Sequence, residues 1–150
     1  MFSIFQNYIL LCAMIGWFSA QLLKPIILFF FTGKFETERL VGAGGMPSSH
    51  TAMVCALTVA TARSEGMDSA IFAVCFVFAC VVMYDAMGVR RAAGMHAKAI
   101  NELRTWQEET DEDDDDDFIA LQEKLGHTPL EVLGGALLGI LIPMVVGFFM

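Results

Sequence analysis

Charge is scarce in this chain and unevenly distributed. Only 17% of its 150 residues are charged, and nine Lys and Arg face 17 Asp and Glu. So few cations leave no basic surface able to follow a nucleic-acid backbone, and no nucleic-acid partner is expected. The net charge of −8 comes almost wholly from residues 108–117, which read Glu-Glu-Thr-Asp-Glu-Asp-Asp-Asp-Asp-Asp. Like charges at that density repel one another, so the run reads as a solvated, disordered linker. It lacks the glycine and the spaced ligands of a calcium loop. Cysteine is limited to Cys12, Cys55, Cys75 and Cys80, all in apolar segments and without metal-ligand spacing. They read as small buried residues. There is no internal repeat. No positive n-region precedes the first apolar run, which is too long for a signal core and has no clear cleavage site. The N-terminus is therefore expected to be retained and to insert as the first membrane helix.

What is abundant is apolar side chain, at 56% of the sequence. Residues 8–31 form a run interrupted only by Gln21 and Lys24, residues 70–87 a second with Asp85 near its end, and residues 130–150 a third with Glu131 at its start. Each approaches the roughly 20 residues that cross a bilayer. Residues 46–62 are shorter and sprinkled with Ser and Thr, which suits a helix shielded by the others. The expectation is a single all-α domain over residues 1–150, a polytopic bundle of about four membrane helices whose second is partly interior. Residues 92–107 place Ile100, Leu103 and Trp106 on one helical face, the pattern of an interfacial amphipathic helix. Residues 118–125 read as a second, shorter interfacial helix.

Polar residues in such a setting stand out. Gly44-Gly45-Met46-Pro47-Ser48-Ser49-His50 combines a tight glycine turn, a proline suited to a first helical turn, and Ser48 or Ser49 as cap. The first amides of a helix lack internal partners and sit at its positive dipole end, which suits an anion such as phosphate. Lys24 lies within an apolar span, where a charge costs roughly 2.5–3.5 kcal/mol, so it is expected to face a polar interior. His127 and Glu131 are four apart on one side of a helix start, where a carboxylate orients an imidazole through one ring nitrogen and leaves the other basic. Thr128-x-x-Glu131 also matches a capping box, and one carboxylate oxygen is not expected to serve both roles fully. Arg90 and Arg91 are adjacent and point apart, so at most one is expected to fork onto a phosphoryl group. His96 reads as an interfacial bystander.

Four crossings bring Lys24, His50, Arg90, Arg91 and His127 to one membrane face. Lys34, Arg39, Lys98, Arg104 and Lys124 join them, against Arg63 alone on the other. The positive-inside rule makes that face cytoplasmic. An integral protein of a bacterial plasma membrane is the expected setting. Four helices leave little wall around a site, which favours a homodimer.

Gly-Met-Pro-Ser-Ser-His at 45–50 resembles the Pro-Ser-Gly-His motif of the type 2 phosphatidic acid phosphatases and vanadium haloperoxidases. Gly-His-Thr-Pro-Leu-Glu at 126–131, followed by Val-Leu-Gly-Gly, resembles that superfamily's last motif, His-x-x-x-Asp before a small-residue helix. Together with Gln21-x-x-Lys24-Pro25 and the segment 85–91, the chain resembles the divergent, small membrane branch of that superfamily over nearly its whole length. The resemblance implies a membrane phosphatase that hydrolyses a lipid or prenyl phosphomonoester or pyrophosphate. His127 would be the nucleophile that becomes a phosphohistidine, Glu131 its orienting partner, and His50 the acid that protonates the leaving alkoxide. Ser48, Ser49, Lys24 and one of Arg90 or Arg91 would bind the phosphoryl group, and neither metal nor cofactor is implied. Departures from the pattern are the isolated Lys24-Pro25 pair, Ser49 in place of glycine, and Leu121 where an arginine is usual. The alternative reading is a non-catalytic phospholipid-binding or structural membrane protein that retains the anion site.

Overall fold

The computed structural model of the chain describes residues 6–33, 45–110, 119–123 and 125–149. Among them every regular element is helical: α1 (Tyr8–Thr32), α2 (Ser49–Glu65), α3 (Ala70–Met87), α4 (Val89–Thr110) and α5 (Pro129–Phe149). α3 and α4 follow one another with only Gly88 between them, so the chain presents four helical rods. Three of these, Tyr8–Phe30, Ala70–Gln107 and Pro129–Phe148, are long and apolar enough to cross a membrane.

α2 is the exception, at 17 residues and with a buried set of Ser49, Thr51, Ala52, Val54, Cys55, Ala56, Thr58, Ala60 and Thr61. It packs against α1, α3 and α5, and so forms the axis of the bundle. Small side chains allow this. A Cβ on Gly139 would stand 2.5 Å from the Ala52 carbonyl oxygen and 2.7 Å from the Ala56-adjacent Cys55 Cβ. Gly135 meets the Ser48 carbonyl and Thr51 in the same way, and Gly16 of α1 meets Ala52 and Ala56. Lipid gives helices no hydrophobic drive to associate, so close backbone approach through small residues supplies the contact. The hydroxyls on α2 are satisfied without water: Thr58 Oγ1 donates to the Val54 carbonyl at 2.7 Å, and Thr61 Oγ1 to the Leu57 carbonyl at 2.8 Å.

Large apolar residues point the other way. Leu10, Met14, Phe18, Leu22 and Ile26 line one exposed face of α1 at four-residue spacing, and Leu133, Leu137, Ile140 and Met144 do so on α5. Such surfaces suit a bilayer as solvent.

α1 and α3 run antiparallel to α2, and α5 runs parallel to it. One end of the bundle therefore gathers Lys24, the start of α2, the end of α3 and the start of α5. The other gathers Tyr8, whose hydroxyl donates to the Pro143 carbonyl at 2.7 Å, together with Arg63 and Gly147.

Four expectations need correction. Cys12, Cys55 and Cys75 are buried, but Cys80 is exposed on α3. Pro47 lies before α2 and not in its first turn, because Ser48 is the cap and Ser49 the first helical residue. Residues 119–123 and 125 are not helical; they run beside α4 and hydrogen-bond to Asn101. The amphipathic helix begins at Val89 and reaches Thr110, so it takes in the first three residues of the acidic run. Residues 111–117 of the proposed linker, and Lys34, Arg39 and Lys124, lie outside the described residues.

Candidate active site

Four local structures converge on one cavity. On α1, Trp17, Gln21 and Lys24 recur at four and three residues and so share a face that turns inward. Lys24 is 3% exposed, and its ammonium donates to Ser49 Oγ at 3.3 Å. That bond ties the second half of α1 to the first turn of α2.

At the start of α2, Ser48 accepts from the Thr51 amide at 3.4 Å and from Thr51 Oγ1 at 3.0 Å. Its own amide donates to the Glu131 carbonyl at 3.0 Å. Ser48 is thereby committed to capping α2 and joining it to α5, and it does not line the cavity. Ser49 and His50, the next two residues, do. Gly45, with φ of 86°, makes the turn that delivers the chain to this cap.

At the end of α3, Asp85 and Ala86 reach the cavity, and Arg90 on α4 donates through Nε to Asp85 Oδ2. Arg91, one residue on, is exposed and does not line the cavity. The adjacent pair thus divides as the geometry of a helix requires. His96, also on α4, is exposed and lies away from the cavity.

The last component is the entry to α5. Gly126, at φ of 81°, abuts the Arg91 backbone and turns the chain so that the His127 amide donates to the Ala86 carbonyl at 2.9 Å. The His127 side chain is 7% exposed. Its Nδ1 lies 3.4 Å from Glu131 Oε2, and the same oxygen accepts from the Thr128 amide at 2.8 Å. The Glu131 amide in turn donates to Thr128 Oγ1 at 3.4 Å, completing a reciprocal cap. One carboxylate oxygen approaches both the cap amide and the histidine, and the cap bond is the shorter. A carboxylate facing Nδ1 favours the tautomer protonated there, which leaves Nε2 with its lone pair. Burial pushes the His127 pKa below the ordinary histidine range. Glu131 opposes that shift by charge and hydrogen bond, while Lys24 and His50 reinforce it.

The cavity formed in this way encloses about 440 Å³. Its lining combines polar side chains, Lys24, Ser49, His50, His127 and the paired Arg90 and Asp85, with apolar Trp17, Val81, Val82 and Leu125. α1 and α3 both contribute to its lining and have no Cα atoms within 8 Å of each other. Trp17, Val81 and Val82 are the lining residues that motif reading misses. The 17–21–24 spacing is the signal that would have found the tryptophan, since it continues the face defined by Gln21 and Lys24.

Comparison with known proteins extends beyond these residues. A family model described as the divergent PAP2 family matches residues 5–142. An uncharacterized membrane protein of Bacillus subtilis (strain 168), YuiD, is 39% identical over 155 residues, covering 98% of each chain. No solved structure matches significantly.

Proposed function

The chain belongs to the divergent PAP2 family, and from that premise we propose that it is a membrane phosphatase acting on a lipid or prenyl phosphomonoester or pyrophosphate. The observation that carries this reading is the cavity, whose lining sets cationic groups and two histidines beside apolar side chains of α1 and α3. A phosphate headgroup suits the first, and the attached hydrocarbon suits the second.

In the first half-reaction, His127 Nε2 attacks phosphorus and forms the P–N bond as the P–O bond to the alcohol or phosphate leaving group breaks. His50, protonated, gives its proton to the departing oxygen. Lys24 and Arg90 offset charge on the equatorial oxygens, where most of the work of phosphoryl transfer lies. In the second, water attacks the phosphohistidine, His50 takes its proton, and His127 and inorganic phosphate are released. Glu131 holds the His127 ring in the attacking tautomer throughout. Ser48 serves by capping and Ser49 by holding Lys24. Active-face placement in the cytoplasm follows from the charge bias of the loops.

The test is phosphate release from a panel of lipid and prenyl phosphates by purified protein in nanodiscs, in a chelator. Turnover inhibited by vanadate is expected. His127→Ala is expected to abolish it, and His50→Ala to lower it roughly 10²–10⁴-fold on alkyl phosphates but far less on an aryl phosphate, whose leaving group needs no acid. Full turnover by His127→Ala would refute the mechanism. Vanadate binding without turnover on any substrate would identify a non-catalytic anion site.

A further inference from the structure

Ahead of α5, residues 119–123 lie beside α4, and one side chain, Asn101, holds them there. Asn101 on α4 donates from Nδ2 to the Leu121 carbonyl at 2.9 Å and accepts at Oδ1 from the Leu121 amide at 2.9 Å. Nδ2 also donates to Glu123 Oε1 at 2.8 Å. A single side-chain amide thus pairs both backbone groups of a residue 20 positions away, as a neighbouring strand would. Two glycines let the paired segment lie close. A Cβ on Gly94 would stand 2.6 Å from the Glu123 carbonyl oxygen and 2.7 Å from that of Leu125, and Gly126 rests on the Arg91 backbone. Gly94, Ala97 and Asn101 fall on one stripe of α4, with Gly94 and Ala97 buried. A few residues further along the same segment, Leu125, Gly126 and His127 line the cavity.

Resting on the phosphatase reading above, we propose that Asn101 is a positioning residue: by gripping Leu121 it fixes the register of the segment that ends in His127, and so sets where the nucleophile stands. The grip is on the helix side of the segment, and the Ala86 carbonyl holds its other end through the His127 amide. His127 is therefore suspended between two anchors, one on α4 and one on α3. The anion-binding groups Lys24, Ser49 and His50 belong to α1 and α2, and Asn101 makes no bond to them. Loss of Asn101 should consequently separate two quantities that a general loss of packing would lower together. Turnover depends on the nucleophile and should fall. Capture of the phosphate depends on the other helices and should persist.

The experiment compares wild type, Asn101→Ala and Asn101→Asp in nanodiscs. Asp keeps the acceptor for the Leu121 amide but loses the donor, and it provides the comparison if the alanine variant does not fold. Hydrogen exchange at the Leu121 amide should accelerate by about tenfold or more in Asn101→Ala. The His127 titration, read from histidine-labelled NMR, should move toward that of an exposed histidine. Glu131, Lys24 and His50 remain around it in every variant. With substrate, kcat should fall by roughly ten- to a hundredfold, while KM and competitive inhibition by inorganic phosphate stay within about threefold. A folded Asn101→Ala with unchanged Leu121 exchange and unchanged His127 titration overturns the proposal, as does a KM that rises as much as kcat falls. If wild type releases no phosphate but exchange and titration still shift in the variant, the catalytic reading fails and the positioning role stands.

Discussion

Glu131 Oε2 stands between two claimants, the Thr128 amide at 2.8 Å and His127 Nδ1 at 3.4 Å. Its negative charge favours imidazolium, while burial of the ring disfavours it more strongly, and the result is a His127 pKa below the ordinary range. A nucleophilic histidine must be neutral. On the phosphatase reading His50 must also be protonated, so the rate should fall as pH drops through that lowered value and again as pH rises through the His50 titration. Glu131→Gln removes the charge that raises the pKa, so the acid limb should move to still lower pH, with reduced turnover because the tautomer is no longer enforced. A pH–kcat/KM profile of the variant checks this; an acid limb that stays in place would show that Glu131 acts only as a cap. His50, His127, Glu131 and Lys24 were all readable from the sequence, because each is a polar group that an apolar environment or a helix start makes conspicuous. Ser48 was readable as a cap, yet its commitment to the Glu131 carbonyl depends on a partner 83 positions away, which no local pattern encodes.

Among the elements, α1, α3 and α5 were legible because a bilayer demands a long apolar run and the chain supplies three. α2 was legible for the opposite reason, since its Ser and Thr need protein neighbours. The segment 118–125 was misread. Its mixture of Leu, Gln and Glu suits an amphipathic helix, but Leu121 pairs both its backbone groups with Asn101, an arrangement without local periodicity. The contact between α2 and α5 yields a direct prediction. Gly139→Val places side-chain atoms against the Ala52 carbonyl and Cys55, neither of which is a flexible tip. Overpacking of this kind costs about 1–3 kcal/mol. Thermal unfolding in detergent should begin at lower temperature than wild type, whereas Leu137→Ala, on the exposed face of the same helix, should change stability by only about 0.5 kcal/mol.

For the whole molecule, α2 packs against α1, α3 and α5, while α1 and α3 have no Cα atoms within 8 Å of each other and both line the cavity, which opens between them on the phosphatase reading. On the phosphatase reading, substrate chains lie in that opening against Trp17, Val81 and Val82. Val81→Trp should therefore raise KM for long-chain phosphates by roughly tenfold, as the loss of one well-packed apolar contact would. Turnover of a short, soluble phosphate should stay within about threefold of wild type. Equal losses on both substrates would place the chain elsewhere.

The central position of α2 also bears on how the protein is made. A 17-residue helix whose buried face is built from Ser, Thr, Ala and Cys gains little by entering lipid alone, and its hydroxyls need partners once there. Its principal neighbours are α1, α3 and α5, and α5 is the last to be synthesised. Nascent chains must therefore hold α2 in a sheltered or incompletely inserted state until the C-terminal helix arrives. Assembly of the end that carries the cavity is then coupled to completion of the chain, and truncation within α5 leaves the second helix without the glycine face that seats it.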